Sequence, residues 1–108
     1  MGEALSAVEA LYFGLQQKIG MLSLASRSQG QRDAFMSQYV AARTAYWSCV
    51  NKMFHDDDPQ VIALTTQLKA ATDEVTKSEK ELGDISKVID DVTEAVTIAS
   101  KLATLAVG

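Results

Sequence analysis

The sequence is short of the residues that turns, disulfides and metal sites require. It has one cysteine (Cys49), one proline (Pro59), one histidine (His55) and six glycines among 108 residues. A single cysteine cannot form a disulfide within the chain, so the sequence is compatible with a reducing compartment. The scarcity of proline and glycine argues against a β-sandwich or barrel, whose short strands need frequent turn residues.

Long apolar runs and a basic leader are also missing. No stretch approaches the roughly 18–20 apolar residues that a membrane-spanning helix requires. The first residues carry Glu3 and Glu9 and no basic cluster, which is not the pattern of a Sec-type signal peptide. We therefore predict a cytoplasmic location by default, with signal-independent export as an open alternative.

The sequence is rich in helix-forming residues. Ala, Leu, Gln, Lys and Glu are plentiful, and these side chains lose little conformational entropy in a helix. Apolar residues make up 47% and charged residues 22%, which are ordinary values for a globular protein. The composition and the length predict a single all-α domain over residues 1–108.

The net charge of −4 is unevenly distributed along the chain. Residues 1–54 hold five Lys/Arg and three Asp/Glu, whereas residues 55–108 hold five Lys and eleven Asp/Glu. The two halves therefore carry charges of opposite sign, +2 and −6, which favours packing of one half against the other. The acidic half would repel a phosphate backbone, so we predict no nucleic-acid partner.

Three segments have the alternating three- and four-residue apolar spacing of amphipathic helices. They predict helices over about residues 3–25, 31–54 and 59–106. Asp58 is the predicted N-cap of the third helix, with Pro59 at its first helical position. The predicted fold is an antiparallel helical bundle of three helices, of which the third is long and heptad-patterned.

The third segment has two interpretations. Its heptad phase is unbroken, which favours one continuous helix packed as in a coiled coil. A continuous helix would be about twice as long as the other two, so the alternative is a turn near Gly83 with Asp84 as a new N-cap, which gives four helices. Continuity is the preferred prediction. The heptad pattern also predicts which side chains are buried (Leu68, Val75, Leu82, Ile89) and which are exposed (Glu74, Glu81).

The sequence offers no convincing catalytic or metal-binding group. His55 and the following run 56–58 lack both the further His or Cys ligands of a zinc site and the interleaved oxygen ligands of a calcium loop. Cys49 occupies a core-facing position, and His55 falls roughly on the opposite side of the same predicted helix, so no thiol–base pair is indicated. We predict a protein that is not an enzyme, with no cofactor and no small-molecule substrate.

All seven aromatic residues lie between Tyr12 and Phe54. Tyr39, Tyr46 and Trp47 could line a ligand pocket or a peptide groove. Aromatic residues at helical spacing more often fill a core, because they bury a large area per residue. We therefore favour a core position for them.

The segment 85–107 has a wider apolar face than a simple coiled-coil seam uses. We predict that this face binds a protein partner or a second copy of the chain by coiled-coil-type packing. The candidate interaction residues are Ile85, Val88, Ile89, Val92, Val96 and Leu102. The alternative is a membrane-associated or secretion-linked protein that docks this segment on a bilayer, which is less favoured because the polar side is mostly acidic.

Overall fold

The computed structural model describes residues 2–80 and 84–107, apart from the side chain of Ser23. It contains four helices in this part of the chain: α1 (Glu3–Ala25), α2 (Gln29–Cys49), α3 (Pro59–Glu79) and α4 (Ile85–Ala103). The structure is 81% helical, and its described residues form no strand beyond one isolated antiparallel bridge between Met53 and Val107. The all-α prediction is confirmed.

The long third segment is divided into two helices. The helix α3 ends at Glu79, and α4 begins after Asp84, whose side chain accepts a hydrogen bond from the Lys87 N–H at 3.2 Å. The continuous helix is therefore wrong, and the four-helix alternative with Asp84 as N-cap is correct; Gly83 itself lies outside the described residues. Folding α4 back removes from water an apolar face that a continuous helix would leave uncovered.

Side-chain caps begin two of the other helices. Asp58 accepts a hydrogen bond from the Gln60 N–H at 2.7 Å, which confirms the predicted N-cap of α3. Ser28 accepts from the Gln31 N–H at 3.1 Å, so α2 begins at Gln29, slightly earlier than predicted.

The helix α2 ends at Cys49, before the predicted boundary at residue 54. Residues 50–58 form an irregular connection, in which Met53 exchanges two backbone hydrogen bonds of 2.8 Å with Val107. Phe54 is buried without being helical, so its apolar character extended the helical pattern of the sequence beyond the end of the helix.

The four helices form two hairpins that pack side by side. Short connections join α1 to α2 and α3 to α4, so each pair is antiparallel. Between the hairpins α1 packs on α3 and α2 packs on α4, while α1 also touches α4 across the centre. In the described residues α2 and α3 do not touch, which makes them the diagonal pair.

Neighbouring helices of different hairpins run parallel, contrary to a fully antiparallel bundle. Gln31, near the start of α2, donates a hydrogen bond of 3.3 Å to Ser86, near the start of α4. The Ala4 N–H of α1 donates to Asp56, just before the start of α3, at 3.5 Å. The parallel pairs arise because residues 50–58 cross the diagonal of the bundle instead of joining adjacent helices.

The hydrophobic core draws on every helix. Leu68 and Val75 are buried and Glu74 is exposed, as predicted, whereas Ile89 is only half-buried. Leu82 and Glu81 lie outside the described residues. The largest fully buried apolar side chains of the described residues are Val8, Leu11, Leu15, Leu22, Phe35, Leu68, Val88, Val92 and Leu102.

Candidate functional site

The six candidate interaction residues of α4 lie inside the molecule. Ile85, Val88, Val92, Val96 and Leu102 are buried in the core, and Ile89 is half-buried against it. The neighbouring helices cover this face because the chain turns back between α3 and α4. As a correction to the sequence interpretation, we do not place a partner-binding surface on these residues.

A different set of apolar side chains is exposed on the outer side of the α1/α2 hairpin. Phe13 and Leu24 belong to α1, and Met36, Val40 and Trp47 belong to α2. Trp47 is 63% exposed and Leu24 is 89% exposed. We refer to these five residues as the α1–α2 face.

Helical phase and ring contacts place the five residues on one surface. The three members from α2 are four and seven positions apart, so they fall within about 40° of arc at 3.6 residues per turn. Leu24 follows Phe13 by eleven positions, slightly more than three full turns, and so lies on the same side of α1. Phe13 and Trp47 both contact the ring of Tyr46, with centroids 5.4 and 5.7 Å away, which joins the two stripes.

Beneath the α1–α2 face lies a layer of stacked tyrosines. The ring of Tyr12 stacks on Tyr46 at 5.3 Å and on Tyr39 at 5.8 Å between centroids. Tyr12 and Tyr46 are buried and Tyr39 is half-buried. The core interpretation of the aromatic residues therefore holds for Tyr46, whereas Trp47 lies on the surface that this layer supports.

Two tyrosine hydroxyls of this layer, those of Tyr12 and Tyr46, are held in their neutral form. The Tyr46 hydroxyl donates to the Glu9 carboxylate at 3.4 Å; burial raises the pKa of Tyr46, and the negative charge of Glu9 raises it further. A side-chain hydrogen bond with Tyr39, followed by burial, raises the pKa of Tyr12. Both groups therefore stay protonated at neutral pH and act as hydrogen-bond donors, not as bases.

Several acidic residues of the second half lie on the other side of the molecule. Glu74 and Glu94 line the groove on the outside of the α3/α4 hairpin, and Asp73 and Asp90 are also exposed on these two helices. The two hairpins form two layers, so the outer side of one points away from the outer side of the other. The α1–α2 face is therefore the side of the bundle that is away from this concentration of negative charge.

Three of the residues considered for a metal or thiol site, Asp56, Asp58 and Cys49, have structural roles. Asp58 caps α3, and Asp56 accepts from the first turn of α1. His55 is exposed. Among the described residues, no group of three or more His, Cys, Asp or Glu side chains could hold a metal ion. Cys49 is fully buried, and burial raises the pKa of its thiol, which keeps it protonated.

One polar cluster inside the α3/α4 hairpin was not predicted from the sequence. The Lys87 ammonium group donates to Asp91 at 2.8 Å and to the Ser78 hydroxyl at 3.2 Å, and Ser78 also bonds Asp91. Ser78 was recognisable as a polar residue in an otherwise apolar heptad seam, but its partners on α4 depend on the turn. We call these three residues the hairpin clamp.

The charges of the hairpin clamp are mutually stabilised. A hydrogen bond to Asp91 raises the pKa of Lys87. Burial alone would raise the pKa of Asp91, but the hydrogen bonds from Lys87 and Ser78 outweigh it and lower that pKa. Lys87 therefore remains protonated and cannot take a proton from Ser78, so the arrangement suits a structural link and not a nucleophile.

We expect Asp91→Asn to lower the free energy of unfolding by about 1 kcal/mol at neutral pH, because it removes the charge of a partly exposed pair. The folded-state pKa of Asp91 lies below its ordinary value of 3.8, so its contribution is complete above that pH and is lost as the pH falls through the folded-state value. The folded-state pKa of Lys87 lies above its ordinary value of 10.5, so its contribution is complete below pH 10.5 and is lost as the pH rises through the folded-state value.

Urea denaturation of the wild type and Asp91→Asn near neutral pH and at about pH 2 measures this effect. The difference between the two proteins should shrink at the acidic pH. Asp90→Asn is the matched control, since Asp90 is exposed and adjacent in sequence. Equal losses for the two variants would contradict a specific role of the hairpin clamp.

Comparison with known proteins gives no relationship from which a role could be transferred. No protein-family model, no curated protein and no solved structure matches the chain. None of the described helices combines the length and the apolar character needed to cross a bilayer.

Proposed function

We propose that this chain is a non-enzymatic protein-interaction module whose contact surface is the α1–α2 face. The observation that carries the proposal is the exposed Trp47, held against Tyr46 at 5.7 Å next to an exposed Phe13. Aromatic residues are enriched in protein interfaces, and tryptophan and tyrosine dominate their binding energy. An exposed cluster of this kind costs solubility unless a partner covers it.

The rigidity of the α1–α2 face supports the same function. Phe13 and Trp47 project from two long helices, and both rings contact Tyr46, which stacks on Tyr12. A preformed surface loses less conformational entropy on binding than a flexible one. The aromatic residues of this face can therefore bind a partner with little loss of conformational entropy.

The chemistry of the titratable groups also favours binding over catalysis. The thiol of Cys49 is buried and protonated, and Lys87 is held protonated by Asp91. The raised pKa values of Tyr12 and Tyr46 keep both hydroxyls neutral. Each of these groups is in the form that does not act as a nucleophile or a base.

A membrane-docking role for segment 85–107 has less support. Val88, Val92 and Leu102 are fully buried, so this segment could reach a bilayer only after the bundle opened. Binding to a bilayer would then have to offset the loss of core packing. Binding through the α1–α2 face requires no such opening of the bundle.

The proposal is tested by binding assays with wild type, Val40→Glu and Ile62→Glu. Both positions carry an exposed β-branched apolar residue on a helix, 42% exposed at Val40 and 50% at Ile62, but only Val40 belongs to the α1–α2 face. Each immobilised protein is exposed to the same chain in solution, to an extract of the host cell and to anionic vesicles.

We expect protein binding that wild type and Ile62→Glu share and that Val40→Glu loses. Binding that Val40→Glu retains would contradict the assignment of the surface. Absence of protein binding by the wild type, or binding to vesicles alone, would contradict the proposed function.

A further inference from the structure

We propose that the α1–α2 face binds the same face of a second copy of this chain, with the two α2 helices antiparallel and the twofold axis at the level of Gln38. This inference rests on the proposed function and names its partner.

The first observation is the spacing of the apolar residues. Met36 and Val40 lie two residues before and two residues after Gln38, and both are exposed. Antiparallel pairing about the level of Gln38 places Met36 opposite Val40 of the second copy, and the twofold axis repeats the contact. One pairing register therefore covers both side chains with apolar partners.

The second observation is a pair of opposite charges with the same centre. Asp33 and Arg43 lie five residues before and five residues after Gln38, and both are exposed. Within one chain they are ten residues apart along α2, about 15 Å at the rise of an α-helix, so they cannot pair with each other. In the antiparallel register each lies at the level of its opposite charge on the second copy.

The side-chain directions agree with this register. At 3.6 residues per turn, Asp33, Met36, Val40 and Arg43 fall within about 80° of arc on α2. The same stripe therefore presents an apolar centre with an acidic group towards one end and a basic group towards the other. When two copies of this stripe lie antiparallel, apolar residues meet apolar residues and each acidic group meets a basic group. Such a surface fits an isologous dimer, in which both copies use the same contact face.

The ends of the α1–α2 face are also complementary. Trp47 lies nine residues after Gln38, and so reaches the level of Gln29 in the second copy, close to the end of α1 where Leu24 is exposed. Gly20 lies on the same side of α1, and a Cβ atom built on it would meet no other atom within 4 Å. In the proposed dimer the large indole of Trp47 therefore contacts the exposed Leu24 of the second copy and fills the open space beside Gly20.

The size and the charge of the molecule are compatible with such a dimer. The bundle measures 42 × 21 × 18 Å between Cα extremes, so one long side offers an area close to the roughly 800 Å² per partner of a standard interface. The groove carboxylates Glu74 and Glu94 point away from the α1–α2 face, and pairing through this face keeps the two acidic sides apart.

A charge-swap series tests the register. In the proposed dimer Asp33 of each copy lies opposite Arg43 of the other, so the pair occurs twice. Asp33→Arg places two arginines opposite each other in both pairs, and Arg43→Asp places two carboxylates opposite each other. We expect each single variant to raise the dimer dissociation constant about tenfold, and the double variant Asp33→Arg/Arg43→Asp to restore it to within about threefold of wild type. Sedimentation equilibrium over a range of protein concentrations measures the constant, and thermal melts confirm that each variant is folded.

A matched cross-linking pair tests the orientation. Ser37→Cys puts a thiol one residue from the proposed axis, whereas Thr66→Cys puts one on the exposed side of α3; the native Cys49 is buried. A short bifunctional maleimide should join two copies of Ser37→Cys and leave Thr66→Cys monomeric. Equal cross-linking of the two variants would contradict the proposed pairing.

The outcomes separate this inference from the proposed function. A wild-type monomer that binds a foreign protein through Val40 overturns the dimer and leaves the interaction function intact. If the wild type dimerises but the double charge-swap variant does not regain the wild-type dissociation constant, the antiparallel register is wrong. A wild type that neither dimerises nor binds any protein overturns both.

Discussion

Replacing Val92 with Asp is expected to unfold the protein, whereas the same substitution at Val40 leaves it folded. Both are valines on helices, but Val92 is 0% exposed and Val40 is 42% exposed. A carboxylate at position 92 would lose its hydration and gain no partner of opposite charge, at a cost of several kcal/mol. Because domains of this kind have about 5–15 kcal/mol of stability, such a cost removes most or all of it.

Circular dichroism with thermal denaturation measures the effect directly. We expect Val92→Asp to lose its cooperative transition or to melt far below wild type. At protein concentrations where the chain is monomeric, we expect Val40→Asp to melt within a few degrees of wild type. The experiment also distinguishes two roles for α4. If Val92→Asp folds but associates with other proteins or copies differently from wild type, α4 presents an exposed interaction surface, as the sequence pattern alone suggested.

Leu68→Ala is expected to lower the free energy of unfolding by about 3 kcal/mol, since it removes a fully buried side chain and leaves a cavity. Leu68 is 0% exposed and lies on α3, where it belongs to the apolar seam of the heptad pattern. The matched control is Leu24→Ala, the same substitution on a helix at a residue that is 89% exposed. At protein concentrations where the chain is monomeric, we expect the control to change stability by less than about 0.5 kcal/mol.

Urea denaturation with a common slope compares the two leucine variants. A loss at position 68 no larger than that at position 24 would contradict the burial of the α3 seam. A large loss at position 24 would instead show that Leu24 is covered in solution, and its dependence on protein concentration would identify association as the reason.

Much of the fold could be predicted from the sequence because it depends on local signals. The apolar spacing located all of the helical segments, and Asp58 before Pro59 marked the start of α3 at the correct residue. The heptad phase did not reveal the turn. A three- and four-residue spacing can persist across a turn when both helices face the same core, so periodicity alone cannot distinguish one helix from a hairpin.

The site could be predicted much less well, because exposure depends on which helices become neighbours. The apolar width of α4 suggested a partner surface, but α4 contacts all three other helices and its apolar residues are covered. The aromatic residues Tyr39, Tyr46 and Trp47 were predicted to lie in the core. The diagonal position of α2 relative to α3 instead leaves Met36, Val40 and Trp47 exposed, and no local sequence signal reports that placement.

The diagonal path of residues 50–58 also bears on how the chain folds. Each hairpin closes through a short connection, and contacts between residues close in sequence form quickly. The link from Gln31 to Ser86, in contrast, joins residues 55 positions apart. The α1/α2 and α3/α4 hairpins should therefore collapse first as separate units, and the slow step is their docking along the parallel α1–α3 and α2–α4 seams, after which Met53 and Val107 can form their bridge.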